Sequence, residues 1–214
     1  MSTQPIDRLT PDNAALLMVD HQTGLANGVT DQSIPEFRTA VAALAATAKL
    51  FNLPTIITTS AADGPNGPVL PEIPRILPTA TVIPRPGEVN AWDNAEFVAA
   101  VEATGRKKLL VAGISTDVCV AFVALSAIEA GYDVYAVIDA SGTWNKLVQE
   151  MAVQRMVQAG GVPITWVAVA AELQADWRRP TGQGLAQVMG EYLPFYGNLI
   201  TSHLSSRAAE APRS

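Results

Sequence analysis

The stretch Leu109-Leu110-Val111-Ala112-Gly113-Ile114-Ser115-Thr116-Asp117-Val118-Cys119-Val120 ends a strand and opens a helix. Its first half is an apolar strand run, and Ser115, Thr116 and Asp117 then supply the side-chain types that cap a helical N-terminus. An apolar helical pattern continues to Ala130, Gly131 suits a left-handed C-terminal cap, and Asp133–Ile138 reads as the next strand. Strand, helix and strand in such quick succession predict parallel strands joined by a crossover helix.

Outward from this unit the rhythm repeats. Strands are predicted near Ala14–Val19, Thr55–Thr59, Thr81–Ile83, Leu109–Ala112, Asp133–Ile138 and Val162–Val167. Helical patterns fill Pro35–Phe51, Asn94–Ala103, Asp117–Ala130 and Leu147–Gln158. Pro35, preceded by Ser33-Ile34, suits a first helical position, and Gly105 and Gly160 follow their helices as Gly131 does. The expectation is an α/β fold: a three-layer α/β/α sandwich around a mainly parallel six-stranded sheet. One domain spans residues 1–204, with a C-terminal arm from about residue 178 and a frayed tail at Ser205–Ser214.

Two segments interrupt the alternation. Ala61–Thr79 holds five prolines (Pro65, Pro68, Pro71, Pro74 and Pro78) and reads as a stiff loop: a lid, a subunit contact, or a surface excursion without a role. After Trp177, the residues Leu193, Phe195, Tyr196, Leu199 and Ile200 form an apolar arm that must cover either its own domain or a neighbour's.

At 214 residues the chain suits one substantial domain. Charged residues are only 16%, below the roughly 25% usual for soluble domains, which points to surface hidden in a homo-oligomer. A net charge of −6 disfavours nucleic acid and anionic membranes as partners. The densest basic run, Arg106-Lys107-Lys108, reads as the solvated start of a strand. One cysteine excludes an internal disulfide and a thiol zinc cluster. No basic leader with an apolar core opens the chain and no apolar run approaches ~18 residues, so a cytoplasmic location is expected.

Parallel sheets bind ligands at the carboxyl ends of their strands. Asp20 ends the first predicted strand, Arg85 follows the third and Cys119 follows the fourth, while Asp63 and Asp139 come shortly after the second and fifth. Cys119 falls in a first helical turn, where free N–H groups and the helix dipole should lower a thiol pKa from about 8.5 and hold an oxyanion. The plainer reading makes it a small buried hydrophobe at the head of an apolar helix. Asp20 alone is equally a turn or cap residue, Arg85 an ordinary surface ion pair, and His21 either a pocket wall or a turn cap. His21 and His203 lie too far apart for a metal motif, and no Gly-x-Gly-x-x-Gly or Walker pattern exists, so no metal and no nucleotide cofactor is expected.

Together, Val19-Asp20-His21-Gln22, Arg85-Pro86-Gly87 with Asn90-Ala91-Trp92-Asp93-Asn94, the Gly113–Val120 segment and Asp139-Ala140-Ser141-Gly142-Thr143 resemble the isochorismatase-like cysteine hydrolases, nearest to the YcaC branch, from about Asp7 to about His203. The resemblance implies a triad with Cys119 as nucleophile, Asp20 as acid/base and Arg85 where most of the superfamily has Lys. A guanidinium stabilises anions but does not shuttle protons, which leaves proton traffic to Asp20 or His21. The resemblance further implies a non-proline cis peptide at Ile114–Ser115 and an oxyanion hole from the Ser115 and Cys119 N–H groups. Metal-dependent nicotinamidases carry histidines between the Asp and the basic residue; positions 22–84 have none. Isochorismatases proper lack the nucleophilic cysteine.

The expected function is therefore metal-independent hydrolysis of a small amide or other acyl or C–N substrate through an acyl group on Cys119, with His21, Trp92 and Phe122 as candidate pocket walls. The alternatives are a redox-responsive or ligand-binding protein with a reactive thiol, and a structural assembly unit. Relatives of the YcaC type form octamers built from rings, so the resemblance implies an octameric homo-oligomer.

Overall fold

A computed structural model describes residues 8–210. Strands β1 (Ala14–Val19), β2 (Thr55–Ser60), β3 (Thr81–Arg85), β4 (Lys108–Gly113), β5 (Asp133–Val137) and β6 (Val162–Ile164) form one sheet in the order β3-β2-β1-β4-β5-β6. Every neighbouring pair is parallel. All six residues of β1 are buried, as a central strand covered on both faces requires. Side chains alternate between the faces. Leu16 and Met18 meet α2 (Ile34–Leu50), α7 (Trp166–Gln174) and α8 (Gly182–Tyr192), whereas Leu17 and Val19 meet α4 (Ala95–Ala103), α5 (Ala121–Glu129) and α6 (Lys146–Gln158). This is the expected three-layer sandwich.

Local chemistry sets the helix starts. Ser33 and Glu36 form a reciprocal capping box at α2, and Asn94 and Asn145 accept the third N–H of α4 and α6. Gly105, Gly131 and Gly160 take positive φ just beyond α4, α5 and α6.

Several sequence boundaries move. β3 runs on through Pro84 and Arg85; proline is tolerated there because β3 is an edge strand paired only with β2. β6 stops at Ile164, because Thr165 caps a helix that begins at Trp166. The helix expected from Asp117 starts as a π-type turn over Thr116–Val120 before α5. Lys108 is buried rather than solvated, with its ammonium on Asp133 Oδ2 at 3.1 Å.

The arm forms α8 and α9 (Pro194–Glu210). Leu185 and Met189 join the core and Leu193 and Tyr196 pack against it, while Trp177 stacks on Tyr196 at 6.0 Å. Phe195, Leu199 and Leu204 face outward, so the arm covers its own domain with one side only. Residues 205–210 continue α9 instead of fraying; Met1–Asp7 and 211–214 lie outside the described residues.

The proline-rich loop is also anchored. It carries the short α3 (Glu72–Ile76), Leu70 and Ile73 enter the core, and it pairs with the chain after β1 through Thr23 N–H to Pro68 O at 2.8 Å and Gly24 N–H to Asn66 O at 2.8 Å. No helix among the described residues is long and apolar enough to cross a membrane. The sheet order reverses between β1 and β4, whose carboxyl ends flank the crevice where such folds place ligands.

Candidate active site

At that crevice β1 and β4 each deliver one reactive group. Asp20 follows β1 in a left-handed conformation, φ +56°, and its amide donates to Thr58 O of β2 at 2.9 Å. Cys119 lies in the π-type turn after β4, where Val120 N–H reaches back to Ser115 O at 3.1 Å. The Cys119 thiol is hydrogen-bonded to the Asp20 carboxylate, and the Ser115 backbone N–H is directed at the sulfur. The Ile114–Ser115 peptide is cis.

Arg85, the last residue of β3, reaches this pair across β2. Its Nε donates to Thr58 Oγ1 at 2.9 Å, Nη2 to Asp20 Oδ1 and Nη1 to Glu88 O. Thr58 Oγ1 donates in turn to Ile83 O at 2.8 Å, which leaves its lone pairs for the guanidinium. The Arg85 and Asp20 side chains are 0% and 1% exposed, so Cys119, half-buried, is the member of the group that solvent reaches. Thr58 was not singled out in the sequence. A threonine in an apolar strand carries no signal that it bridges its neighbours.

Electrostatics run against the helix-terminus expectation. Burial raises the Cys119 thiol above its ordinary pKa, and the Asp20 charge and hydrogen bond raise it further; the Ser115 N–H and Arg85 oppose this without prevailing. The thiol is therefore kept protonated beside a carboxylate rather than held as a thiolate. Asp20 is itself raised by burial, with Arg85 pulling it back down. That makes it a stronger proton acceptor than an ordinary aspartate.

Two clamps hold these elements. The Gln22 carboxamide, fully buried, accepts Ser60 N–H at 2.9 Å and donates to Ser60 O at 3.2 Å and Gly67 O at 2.6 Å, tying the ends of β1 and β2 to the proline-rich loop. On the other side the segment after β5 grips the nucleophile turn: Thr116 N–H donates to Gly142 O at 3.0 Å and Thr143 Oγ1 to Asp117 Oδ1 at 2.9 Å. Asp31 fixes that segment by accepting Thr143 N–H at 2.9 Å.

The remaining candidates make their contacts elsewhere. His21, 1% exposed, holds Ala140 O through Nε2 at 2.9 Å and stacks on Phe37 of α2, in the layer opposite Cys119. Burial lowers its pKa to about 4, so it is neutral. Trp92 packs edge-on against Phe97 and Tyr132, and Phe122 lies beneath the Arg155 guanidinium. These are the contacts that the three expected pocket walls make. Asp63 is exposed. Asp139 accepts the Trp166 amide at the start of α7, and burial raises its pKa to about 6. Among the described residues no three His, Cys, Asp or Glu side chains are grouped to hold a metal ion.

Residues 14–168 match the isochorismatase domain. The chain belongs to the isochorismatase family. Asp20, Arg85, Ser115 and Cys119 all fall inside the matched segment. Over 201 residues the chain is 51% identical to the "Probable hydrolase YcaC" of Escherichia coli strain K12, covering 94% of this chain and 96% of that one. The E. coli YcaC crystal structure, described as an octameric hydrolase of unknown specificity, superposes with a TM-score of 0.92 at 52% identity, covering 95% and 99% of the two chains. YcaC from Pseudomonas aeruginosa, solved with hexane-2,5-diol and covalent acrylamide, gives a TM-score of 0.92 at 51% identity, covering 94% and 99%. The chain thus stands among the hydrolases of the isochorismatase family.

Proposed function

We propose that this protein hydrolyses a small amide or other acyl or C–N substrate without a metal, through an acyl group carried on Cys119. The observation that carries the reading is the line Cys119–Asp20–Arg85 at the switch point of the sheet. A thiol held protonated against a buried carboxylate is a nucleophile with its base in place.

In the acylation step Asp20 takes the thiol proton as sulfur bonds to the carbonyl carbon, and the carbonyl electron pair moves to oxygen. The Ser115 and Cys119 N–H groups stabilise that oxyanion. Its collapse breaks the C–N bond, and Asp20 returns the proton to the leaving amine. Water then attacks the thioester and gives a proton to Asp20; the acid leaves and the thiol is regenerated with that proton. Arg85 keeps Asp20 oriented and offsets its charge between proton transfers, a task that asks for a permanent cation and not for a proton shuttle.

P. aeruginosa YcaC was solved with covalent acrylamide, a reagent that captures nucleophiles through its vinyl carbon, and this supports a reactive nucleophile in that relative. The E. coli octamer and the outward apolar side of α9 support an octameric homo-oligomer here. A peroxide-sensor role loses ground, because sensor thiols are accessible and of low pKa, whereas burial and Asp20 raise this one. The test is a panel of small amides and esters assayed with the parent, Cys119→Ala and Cys119→Ser. Turnover by the parent alone is expected, with all three chains folded; full activity in Cys119→Ala would remove the mechanism.

A further inference from the structure

We propose, resting on the acyl-transfer reading above, that the substrate is uncharged over the part that enters the site: a neutral amide or ester, and not one bearing a carboxylate beside the reacting carbonyl. An incoming group meets the Cys119 sulfur, and the nearest full charge to that sulfur is the Asp20 carboxylate. Arg85 is the one cation of the group and it is closed. Its side chain is 0% exposed, and each of its three nitrogens already has a protein acceptor: Thr58 Oγ1, Glu88 O or Asp20 Oδ1. With no part of the side chain open to solvent, a substrate carboxylate could reach it only by opening this packing and disturbing the pair with Asp20.

Among the described residues, Arg38, Arg155, Lys108 and Lys146 each have a contact of their own. Arg38 is forked onto Glu72 at 2.8 and 2.7 Å, and Arg155 lies over Phe122. Lys108 is bound to Asp133 at the amino edge of the sheet. Lys146, the first residue of α6, donates to Gln149 Oε1 at 3.2 Å and lies in the field of Glu36, which heads α2 in the opposite layer from Cys119. An anionic substrate would lose its hydration without gaining a counter-charge, whereas a neutral carbonyl needs only N–H donors.

The experiment compares alkylation of Cys119 by iodoacetamide and iodoacetate. In both, sulfur bonds to the methylene carbon, the C–I bond breaks, iodide leaves and the thiol proton is lost to Asp20 or solvent. The reagents differ only in carrying an amide or a carboxylate. With a single cysteine the signal has one source. Rates are taken from about pH 8 to about pH 10, so that the thiolate fraction brings both reactions above background. The expected amide-to-carboxylate rate ratio is at least about tenfold above that of glutathione under the same conditions. A ratio equal to or below glutathione's would overturn the proposal. Lys146→Ala and Arg155→Ala would then locate the receptor: a fall in the iodoacetate rate assigns it to the residue replaced. The ratio is read without turnover, so an amide panel that stays inert counts against hydrolysis and leaves the charge preference standing.

Discussion

Replacing Arg85 with Met would keep much of the side-chain volume and remove the charge that faces Asp20. Both partners are essentially inaccessible to water, with side-chain exposures of 0% and 1%. Breaking a buried pair at one end costs about 3–5 kcal/mol, because the remaining ion is left uncompensated. Asp20 can escape part of that cost only by binding a proton. Burial already raises its pKa, and the variant removes the Arg85 charge and hydrogen bond that lower it, so the folded-state value climbs further. A carboxylate whose folded pKa lies above the unfolded value near 3.9 contributes stability below about pH 4 and loses it as pH rises toward the folded pKa, at about 1.4 kcal/mol per unit. The variant therefore falls further behind the parent at pH 8 than at pH 5. Urea unfolding at fixed protomer concentration across that range measures the gap, and Asp20→Asn/Arg85→Met should recover part of it. A deficit below about 1 kcal/mol that does not change with pH would refute the reasoning, since it would mean that Asp20 does not depend on Arg85.

Three further outcomes follow from the same geometry. Asp20→Asn should slow turnover by about 10²–10⁴ while lowering the thiol pKa, because the carboxylate is both the base and a cause of the raised thiol; the pH profile of alkylation reads the second effect. His21 is held neutral with a pKa of about 4 against an ordinary 6.5, so stability is lost as pH falls between those values, about 3 kcal/mol in all, and His21→Asn should flatten that slope in acid unfolding curves. Gly24→Ala would set a Cβ 1.9 Å from Pro65 O and 2.8 Å from Asn66 O, forcing the proline-rich loop off its seat; a loss of about 1–3 kcal/mol and faster proteolysis within 61–68 are expected.

The sheet was legible because its strands are short apolar runs and its helices begin with strong caps such as Ser33 and Asn94. The predicted strand ends at Ile83 and the observed one at Arg85 for a reason local to edge strands: Pro84 reads as a break, yet an edge position needs no N–H from it. Trp166 and Val167 have strand-like side chains, and only the Thr165 cap and the carboxylate of Asp139 turn them into a helix. Glycines at 182, 184, 190 and 197 masked α8 and α9, which tertiary contacts hold.

Within the site, Cys119, Asp20 and Arg85 could be found from their places at strand ends. Their energetics could not. The N–H groups of a helix start are legible beside the sulfur, but the carboxylate brought from β1 is not, and that carboxylate and burial dominate. His21 adjoins Asp20 in sequence, yet the left-handed backbone at Asp20 breaks the strand alternation and His21 is seated against α2.

The most direct test of the central claim is a burst titration with 4-nitrophenyl acetate followed by intact mass. The account requires one equivalent of nitrophenolate per protomer and a transient acetyl mass on Cys119, both absent in Cys119→Ala. Nitrophenolate release at the same rate from Cys119→Ala, or an acetyl group on any other residue, would contradict it.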